Sequence, residues 1–187
     1  MYFTNTLINH SVYLELNVDA MFASPTANRD TFAVTTPSEH EIRMTRLFNA
    51  PRPLVFEAMT RPEHVVRWWG CLGDGYSVPV CDIDLRVGGR WRFVNRHPHG
   101  EAAFHGEYLE IDPPGRLVFT EIFEEYPDSP SVVTTELLDE GRGTRLIATV
   151  RYPSMAVRDI VLGTGMAKGA GISYDRLEDL VAELQRQ

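Results

Sequence analysis

A carboxylate within an apolar run is the clearest candidate for acid–base chemistry in this sequence. Strand alternation places Glu121 on the same side as Phe119 and Phe123, where burial would raise the pKa of its carboxyl. Such a carboxyl can donate or accept a proton near neutral pH, although its burial costs free energy without a partner. A bulge that turns Glu121 outward, or pairing with a nearby arginine, are the alternatives.

Three other polar residues are predicted to point inward with it, namely Asn95, Tyr108 and Asp82. Each could hold or move a proton if it is buried among aromatic side chains. We therefore take Glu121, Asp82 and Tyr108 as the candidate catalytic residues and Asn95 as a candidate ligand-binding residue.

The histidines are the only sign of a metal site. His97, His99 and His105 lie on and after one hairpin, and clustered histidines can bind zinc. His97 and His99 flank a proline in a turn, however, and Glu101 is the only obvious carboxylate beside them. A solvated loop is the preferred interpretation, so no metal is predicted.

Nucleophilic and nucleotide chemistry have little support in the sequence. Cys71 and Cys81 have no histidine near them in the sequence, and no serine lies in a nucleophile-elbow motif. The pair Gly88-Gly89 separates two predicted strands, whereas a phosphate-binding loop joins a strand to a helix. No cofactor is predicted.

The strands that must position these residues recur about every ten residues, separated by turn-forming sequences. Turns this short exclude parallel pairing, so the strands form antiparallel hairpins. Trp91 and Phe93 alternate with Arg90 and Arg92, which indicates one covered face. The predicted strands are 41–48 and then 76–85, 89–97, 102–111, 116–124, 131–138 and 144–152.

Helical patterns precede and follow this run of strands. Prolines in first turns predict two short helices, one after Pro51 and one over 62–69 with Thr60 as its cap. An apolar stripe from Tyr174 to Leu184 predicts the final helix, which must cover the sheet. Four glycines interrupt its upstream part, including Gly165 and Gly169. We predict one long helix with open volume or close packing at these two glycines; a broken helix is the alternative.

Composition restricts the class of protein. The 187 residues carry 18 basic and 26 acidic side chains, a net charge of -8, which argues against binding to nucleic acid or to an anionic membrane. No apolar run is long enough to span a bilayer. Two cysteines exclude a disulfide scaffold, and we expect reduced thiols in a cytoplasmic protein.

The chain divides into an extension, residues 1–37, and one domain, residues 38–187. Within the extension, residues 11–18 alternate like a half-buried strand and 23–37 have the composition of a linker. The alternative is that translation starts at Met21 and the upstream stretch is disordered. Strand 11–18 could pair with a sheet edge of its own chain or of a second copy, so a homodimer is possible.

Several ordered motifs resemble a known family. The bacterial relatives of the activator of heat-shock-protein-90 ATPase, in the START and birch-pollen-allergen superfamily, share similar stretches. They are FNAPRPLVF at 48–56, RPEHVVRWWG at 61–70, DLRVGGRWRF at 84–93, FHGEY at 104–108, IDPP at 111–114, LVFT at 117–120, glycines 165 and 169, and SYDRL at 173–177. The resemblance implies an α+β helix-grip fold, a curved antiparallel sheet wrapped around a long C-terminal helix, with two short helices after the first strand.

The resemblance also implies a cavity between the long helix and the sheet. We expect an apolar small molecule there, held by aromatic and polar side chains. The proposed ligand-binding set comprises Trp68, Trp69, Trp91, Phe93, Asn95, Phe104, Tyr108, Phe119, Glu121, Gly165 and Gly169, with Phe123 as further aromatic lining. Simple core packing is the alternative for each aromatic residue.

Three functions are consistent with these patterns. The first is binding of a hydrophobic or aromatic small molecule. The second is a cyclase or dehydratase type of enzyme that uses a carboxylate in the cavity. The third is a chaperone-interacting module, which only the family resemblance suggests.

Overall fold

The computed structural model describes residues 28–187, so the predicted strand 11–18 lies outside the described residues. One curved, eight-stranded antiparallel sheet has the order β1-β2-β8-β7-β6-β5-β4-β3. The strands are β1 Ala33–Ser38, β2 Glu41–Phe48, β3 Ser77–Ile83, β4 Arg90–His97, β5 Gly100–Asp112, β6 Arg116–Phe123, β7 Ser131–Glu140 and β8 Gly143–Arg151. The predicted α+β helix-grip fold is confirmed.

Four helices accompany the sheet. Two short ones, α1 Arg52–Thr60 and α2 Pro62–Trp68, follow β2 as predicted, each with a proline in its first turn. The other two, α3 Met155–Gly163 and α4 Met166–Leu184, follow β8. None of these helices is long and apolar enough to cross a membrane.

Three local predictions are wrong. Residues 33–37 are not a linker, because β1 pairs with β2 at the edge of the sheet. Thr60 does not cap α2, since its hydroxyl donates to the Phe56 carbonyl at 2.7 Å within α1. The final helix is not continuous: Gly165 has φ +79°, in the left-handed region that favours glycine, and it separates α3 from α4.

The core lies between α4 and the inner face of the sheet. Leu177 and Val181 of α4 are completely buried and pack with residues such as Phe48 and Leu146 from the strands. Every buried residue of α4 falls between Ser173 and Val181, so the first seven residues of the helix contain none. The tight part of the core therefore lies under the C-terminal half of α4.

A buried ion pair fixes α4 to the sheet. The Arg46 side chain of β2 is 1% exposed, and its Nη1 lies 2.8 Å from Oδ1 of Asp175 on α4. The same nitrogen donates to the Arg29 carbonyl at 3.3 Å. Glu178, one turn closer to the C-terminus of α4, accepts the backbone N–H of Asn49 at 3.2 Å. These contacts determine how α4 lies across β2.

Replacing the carboxylate opposite Arg46 tests this attachment. Asp175→Ala leaves a buried guanidinium without its ion-pair partner, so we expect the free energy of unfolding to fall by about 3 kcal/mol. Asp179→Ala, one turn later, removes an exposed partner of Arg29 and is expected to cost less than about 1 kcal/mol. Urea unfolding measures both variants. Equal losses would contradict a special contribution of the buried pair.

Candidate functional site

Glu121 lies on the inner face of the sheet. It alternates with Phe119 and Phe123 in β6, and it pairs in continuous register with Ser131 of β7. No bulge interrupts the β6–β7 pairing at this point. Among the described residues, its carboxylate has no recorded hydrogen-bond or ion-pair partner. In the described residues, Glu121 is therefore neither turned outward by a bulge nor paired with an arginine.

Burial determines the chemistry of this carboxyl. It raises the pKa of Glu121 to about 7, because the surrounding protein solvates the charged form poorly. The side chain is nevertheless only half-buried. It therefore keeps accessible surface that a small molecule could contact.

Two buried tyrosines on other elements interact electrostatically with Glu121. Burial, and next the charge on Glu121, raise the pKa of Tyr152, directly after β8, and of Tyr174 on α4. Their hydroxyls therefore stay protonated over the physiological range. Ser131 lies between the ends of β6 and β8, and its hydroxyl donates to the Glu121 backbone carbonyl at 3.2 Å, which leaves the carboxylate free.

Sequence reasoning did not assign these tyrosines to the site. Tyr174 belonged to the apolar stripe of the last helix, and Tyr152 to the alternation of the last strand. Alternation in β8 does put Tyr152 on the inner face with Ala148 and Val150, so its inward orientation could be predicted from the sequence. The sequence does not indicate that Tyr152 and Tyr174, which are distant in the chain, come near Glu121.

An aromatic wall extends from Glu121 toward α2. The rings of Phe104 and Phe123 stack with centroids 4.9 Å apart, and Trp69 meets Phe104 edge-on at 5.5 Å. Phe119 and Trp91 form another edge-on pair at 5.6 Å. The residues Trp69, Phe104, Phe119 and Phe123 are all half-buried and keep surface that a ligand could cover.

Beside this wall, on the same face of the sheet, other predicted site residues are packed. Phe93, Trp91 and Tyr108 are buried in one cluster. Burial raises the pKa of Tyr108, so its hydroxyl also stays protonated. Gly106 is required beside them, since a Cβ there would lie 1.7 Å from the Thr120 carbonyl oxygen. This close approach of β5 and β6 lets the Trp91 ring lie against bare backbone.

Two residues from the predicted ligand-binding set already use their donors in the fold. Trp68 Nε1 donates to the Ala58 carbonyl at 3.0 Å, which ties α2 to α1. Asn95 Nδ2 donates to the Gly70 carbonyl at 2.7 Å and holds the turn after α2. Both contacts support the architecture around the site.

Asp82 does not point inward, which corrects the sequence analysis. In β3, Cys81 and Ile83 pair with the inward residues of β4, while Asp82 is exposed opposite Arg92. This orientation follows from simple alternation with the apolar Cys81 and Ile83. Asp82 is therefore not a candidate for chemistry in the interior.

Helix α3 and the start of α4 are loosely packed. Helix α3 has no buried residue, and its Met155 and Ile160 side chains are 49% and 57% exposed. A Cβ added at Gly163 or Gly165 would meet no atom within 4 Å. At Gly169, by contrast, it would contact Leu72 Cδ1 at 3.6 Å, so this glycine adjoins packed protein.

The cysteines and histidines form no reactive centre among residues 28–187. Burial raises the pKa of the Cys71 thiol and raises that of Cys81 to about 11, which disfavours the nucleophilic thiolate. His105 instead contacts Glu124 at 3.2 Å on the outer face. No group of three or more metal-ligating side chains occurs in this part of the chain.

A groove of about 400 Å³ lies on the opposite, outer face of the sheet. Its arginines already have partners: Arg92 binds both oxygens of Glu124, at 2.7 and 2.9 Å, and Arg96 binds Glu101. The arginines that line the groove are therefore already neutralised by glutamates of the same chain. The inner face around Glu121 is therefore the better candidate site.

Comparisons with known proteins agree with this architecture. The model of the family described as Activator of Hsp90 ATPase homolog 1-like protein matches residues 49–182. A crystal structure from Rhodobacter sphaeroides is 25% identical with a TM-score of 0.75, over 81% of this chain and 99% of that one. One from Nitrosomonas europaea is 26% identical with a TM-score of 0.70, over 81% and 100%. No curated protein matches the chain.

The cost of ionising Glu121 predicts how stability depends on pH. Its folded pKa of about 7 exceeds the ordinary value of about 4.3, so the folded state binds this proton more tightly. That stabilisation is complete below about pH 4 and is lost as the pH rises through 7. Between about pH 5 and pH 8, Glu121→Gln should therefore gain about 2 kcal/mol in the free energy of unfolding relative to wild type.

The control for this prediction is Glu107→Gln, an exposed glutamate on the adjacent strand β5. Its difference from wild type should be the same at both pH values. Urea unfolding of the three proteins provides the measurement. A constant difference between Glu121→Gln and wild type across this range would show that Glu121 ionises as freely as a surface glutamate.

Proposed function

The chain belongs to the Activator of Hsp90 ATPase homolog 1-like family, and on that premise we propose that it binds an apolar small molecule between α4 and the sheet. The fold commonly binds hydrophobic ligands. The observation that carries the proposal is Glu121, a half-buried carboxyl on the aromatic inner face of the sheet with no described partner. Small-molecule sites combine apolar walls with a few polar groups that orient the ligand.

The proposed ligand lies along the aromatic wall with its polar end at Glu121. Phe104, Phe119, Phe123 and Trp69 supply the apolar contact, and the two tyrosines supply hydroxyl donors near the carboxyl. Entry is proposed at the loosely packed segment formed by α3 and the start of α4, where Gly165 joins the two helices. Trp91, Phe93 and Tyr108 adjoin the wall on the same face of the sheet.

An enzyme of the cyclase or dehydratase type is the second candidate, and the pKa of Glu121 favours it. At a pKa of about 7 both forms of the carboxyl are present at neutral pH, so it can take a proton from one atom and return it to another. The hydroxyls of Tyr152 and Tyr174 can donate hydrogen bonds to a ligand oxygen on which negative charge develops. Turnover lost in Glu121→Gln with binding retained would support this candidate.

The remaining predictions stay proposals. A chaperone-interacting role rests on the description of the family alone. A homodimer would use one of the two sheet edges, β1 or β3, and a cytoplasmic location rests on the use of cysteine. Native mass spectrometry counts subunits in the same experiment that detects a retained ligand.

Filling the space under α4 tests the binding proposal. Ala170 is half-buried, lies one turn before Tyr174 and packs against the core. Ala170→Phe should occupy ligand volume and weaken binding of the fluorescent probe N-phenyl-1-naphthylamine by about tenfold or more.

Native mass spectra of the purified wild type should also contain an adduct that disappears on denaturation.

The matched control adds the same ring outside the core. Lys168→Phe changes an exposed position of the same helix and should leave the affinity for the probe within about twofold. Thermal unfolding of each variant establishes that it is folded. Wild-type affinity in a folded Ala170→Phe variant would contradict a ligand site beneath α4.

A further inference from the structure

In the described interior, the Glu121 carboxylate has no cationic side chain paired with it. Arg46, a buried cation of the described core, already has Asp175 at 2.8 Å. On α3, which covers this end of the sheet, Arg158 binds Asp159 and the Ser38 carbonyl. In residues 28–187, no guanidinium or ammonium group is recorded in contact with the Glu121 carboxylate.

The surroundings of Glu121 are suited to a cation. Aromatic faces attract cations, with a larger effect where water is excluded. Phe104 and Phe123 stack on each other next to Glu121, and the hydroxyl oxygens of Tyr152 and Tyr174 can accept a hydrogen bond from an ammonium group. A ligand carboxylate in the same place would meet the charge of Glu121 and be repelled.

We propose that the ligand is a cationic amphiphile, an apolar body with one protonated amine, and that its ammonium group pairs with the Glu121 carboxylate. This inference rests on the proposed binding function and specifies the ligand class. The apolar body lies along the aromatic wall of Trp69, Phe104 and Phe123. The ion pair is desolvated there, so it contributes selectivity between amine, alcohol and acid that a surface pair would not.

The pairing predicts a definite pH dependence. An ammonium ligand needs the ionised carboxylate, so its advantage should be present above about pH 7 and disappear below it, as Glu121 takes up a proton. The titratable groups facing Glu121 are Tyr152 from the end of β8 and Tyr174 from α4, both neutral over this range. The inner neighbours on β7, Ser131 and Val133, do not titrate.

One further titratable residue, His40, lies beside Tyr152. The His40 carbonyl accepts the backbone N–H of Tyr152 at 2.9 Å, so this histidine adjoins Tyr152 in the fold. The variant His40→Gln is the control for it, because it removes the imidazole and keeps Glu121.

The experiment compares three ligands with the same chain: decylamine, decanol and decanoate. Each competes with N-phenyl-1-naphthylamine for wild-type protein at about pH 8 and about pH 5.5. At the higher pH we expect decylamine to bind about tenfold more tightly than decanol, and decanoate more weakly than either. At the lower pH the advantage of the amine over the alcohol should fall below about threefold.

Variants assign the effect to the proposed pair. Glu121→Gln should remove the advantage of decylamine at both pH values and leave the affinity for decanol within about threefold. His40→Gln should behave as wild type. An amine advantage that persists in Glu121→Gln would come from the general negative charge of the protein and would overturn the inference.

The two proposals can fail separately. If decanol binds and decylamine binds no better in wild type, the cavity takes a neutral ligand, and only the cation inference is wrong. If decanoate binds best, the same inference is wrong. If neither the probe nor any of the three ligands binds, both the cation inference and the proposed binding function are wrong.

Discussion

The packing of α4 across the sheet is the contact on which the rest of the structure depends. Its C-terminal half is closely packed, with Leu177 and Val181 completely buried and the Arg46–Asp175 ion pair at the side. Its first seven residues contain no buried side chain. One helix thus closes the core with its C-terminal half and is packed more loosely at its start.

An unpaired carboxyl in that interior opposes folding at neutral pH, because the protein cannot solvate its charge as water does. The closely packed half of α4 supplies the stability that offsets this cost. Proteins commonly place such unfavourable groups at functional sites, where a ligand or a reacting group satisfies them. The position of Glu121 has this character, whereas Arg46 has Asp175 at 2.8 Å and Glu178 accepts the backbone N–H of Asn49.

Much of the sheet could be predicted because its signals are local. Turn residues and two-residue alternation identify β4 to β8 within a few residues, and alternation alone gives the inward phase of Glu121. Features that depend on distant contacts or on backbone conformation could not be predicted in this way. The helical pattern continues through Gly165, so nothing local distinguishes a left-handed residue from a tolerated helical glycine. The outward orientation of Asp82, by contrast, has a local signal, its alternation with the apolar Cys81 and Ile83, which the sequence interpretation missed.

The site itself was only half predictable. The aromatic residues of the wall are identified by type and alternation, and Glu121 by its phase. The two tyrosines come from the end of β8 and from α4, and they reach Glu121 only after the sheet curves around the helix. Similarly, Trp68 and Asn95 look like ligand contacts in the sequence, whereas their hydrogen bonds to Ala58 and Gly70 show that they hold the short helices in place.

The most direct test of this account is a carboxyl ¹³C NMR titration of Glu121, with and without saturating N-phenyl-1-naphthylamine. The account predicts a midpoint near pH 7 in the free protein, from burial under α4, and a change in both midpoint and chemical shift when the ligand covers the site. A midpoint near the ordinary glutamate value of about 4.3, unaffected by the ligand, would contradict it.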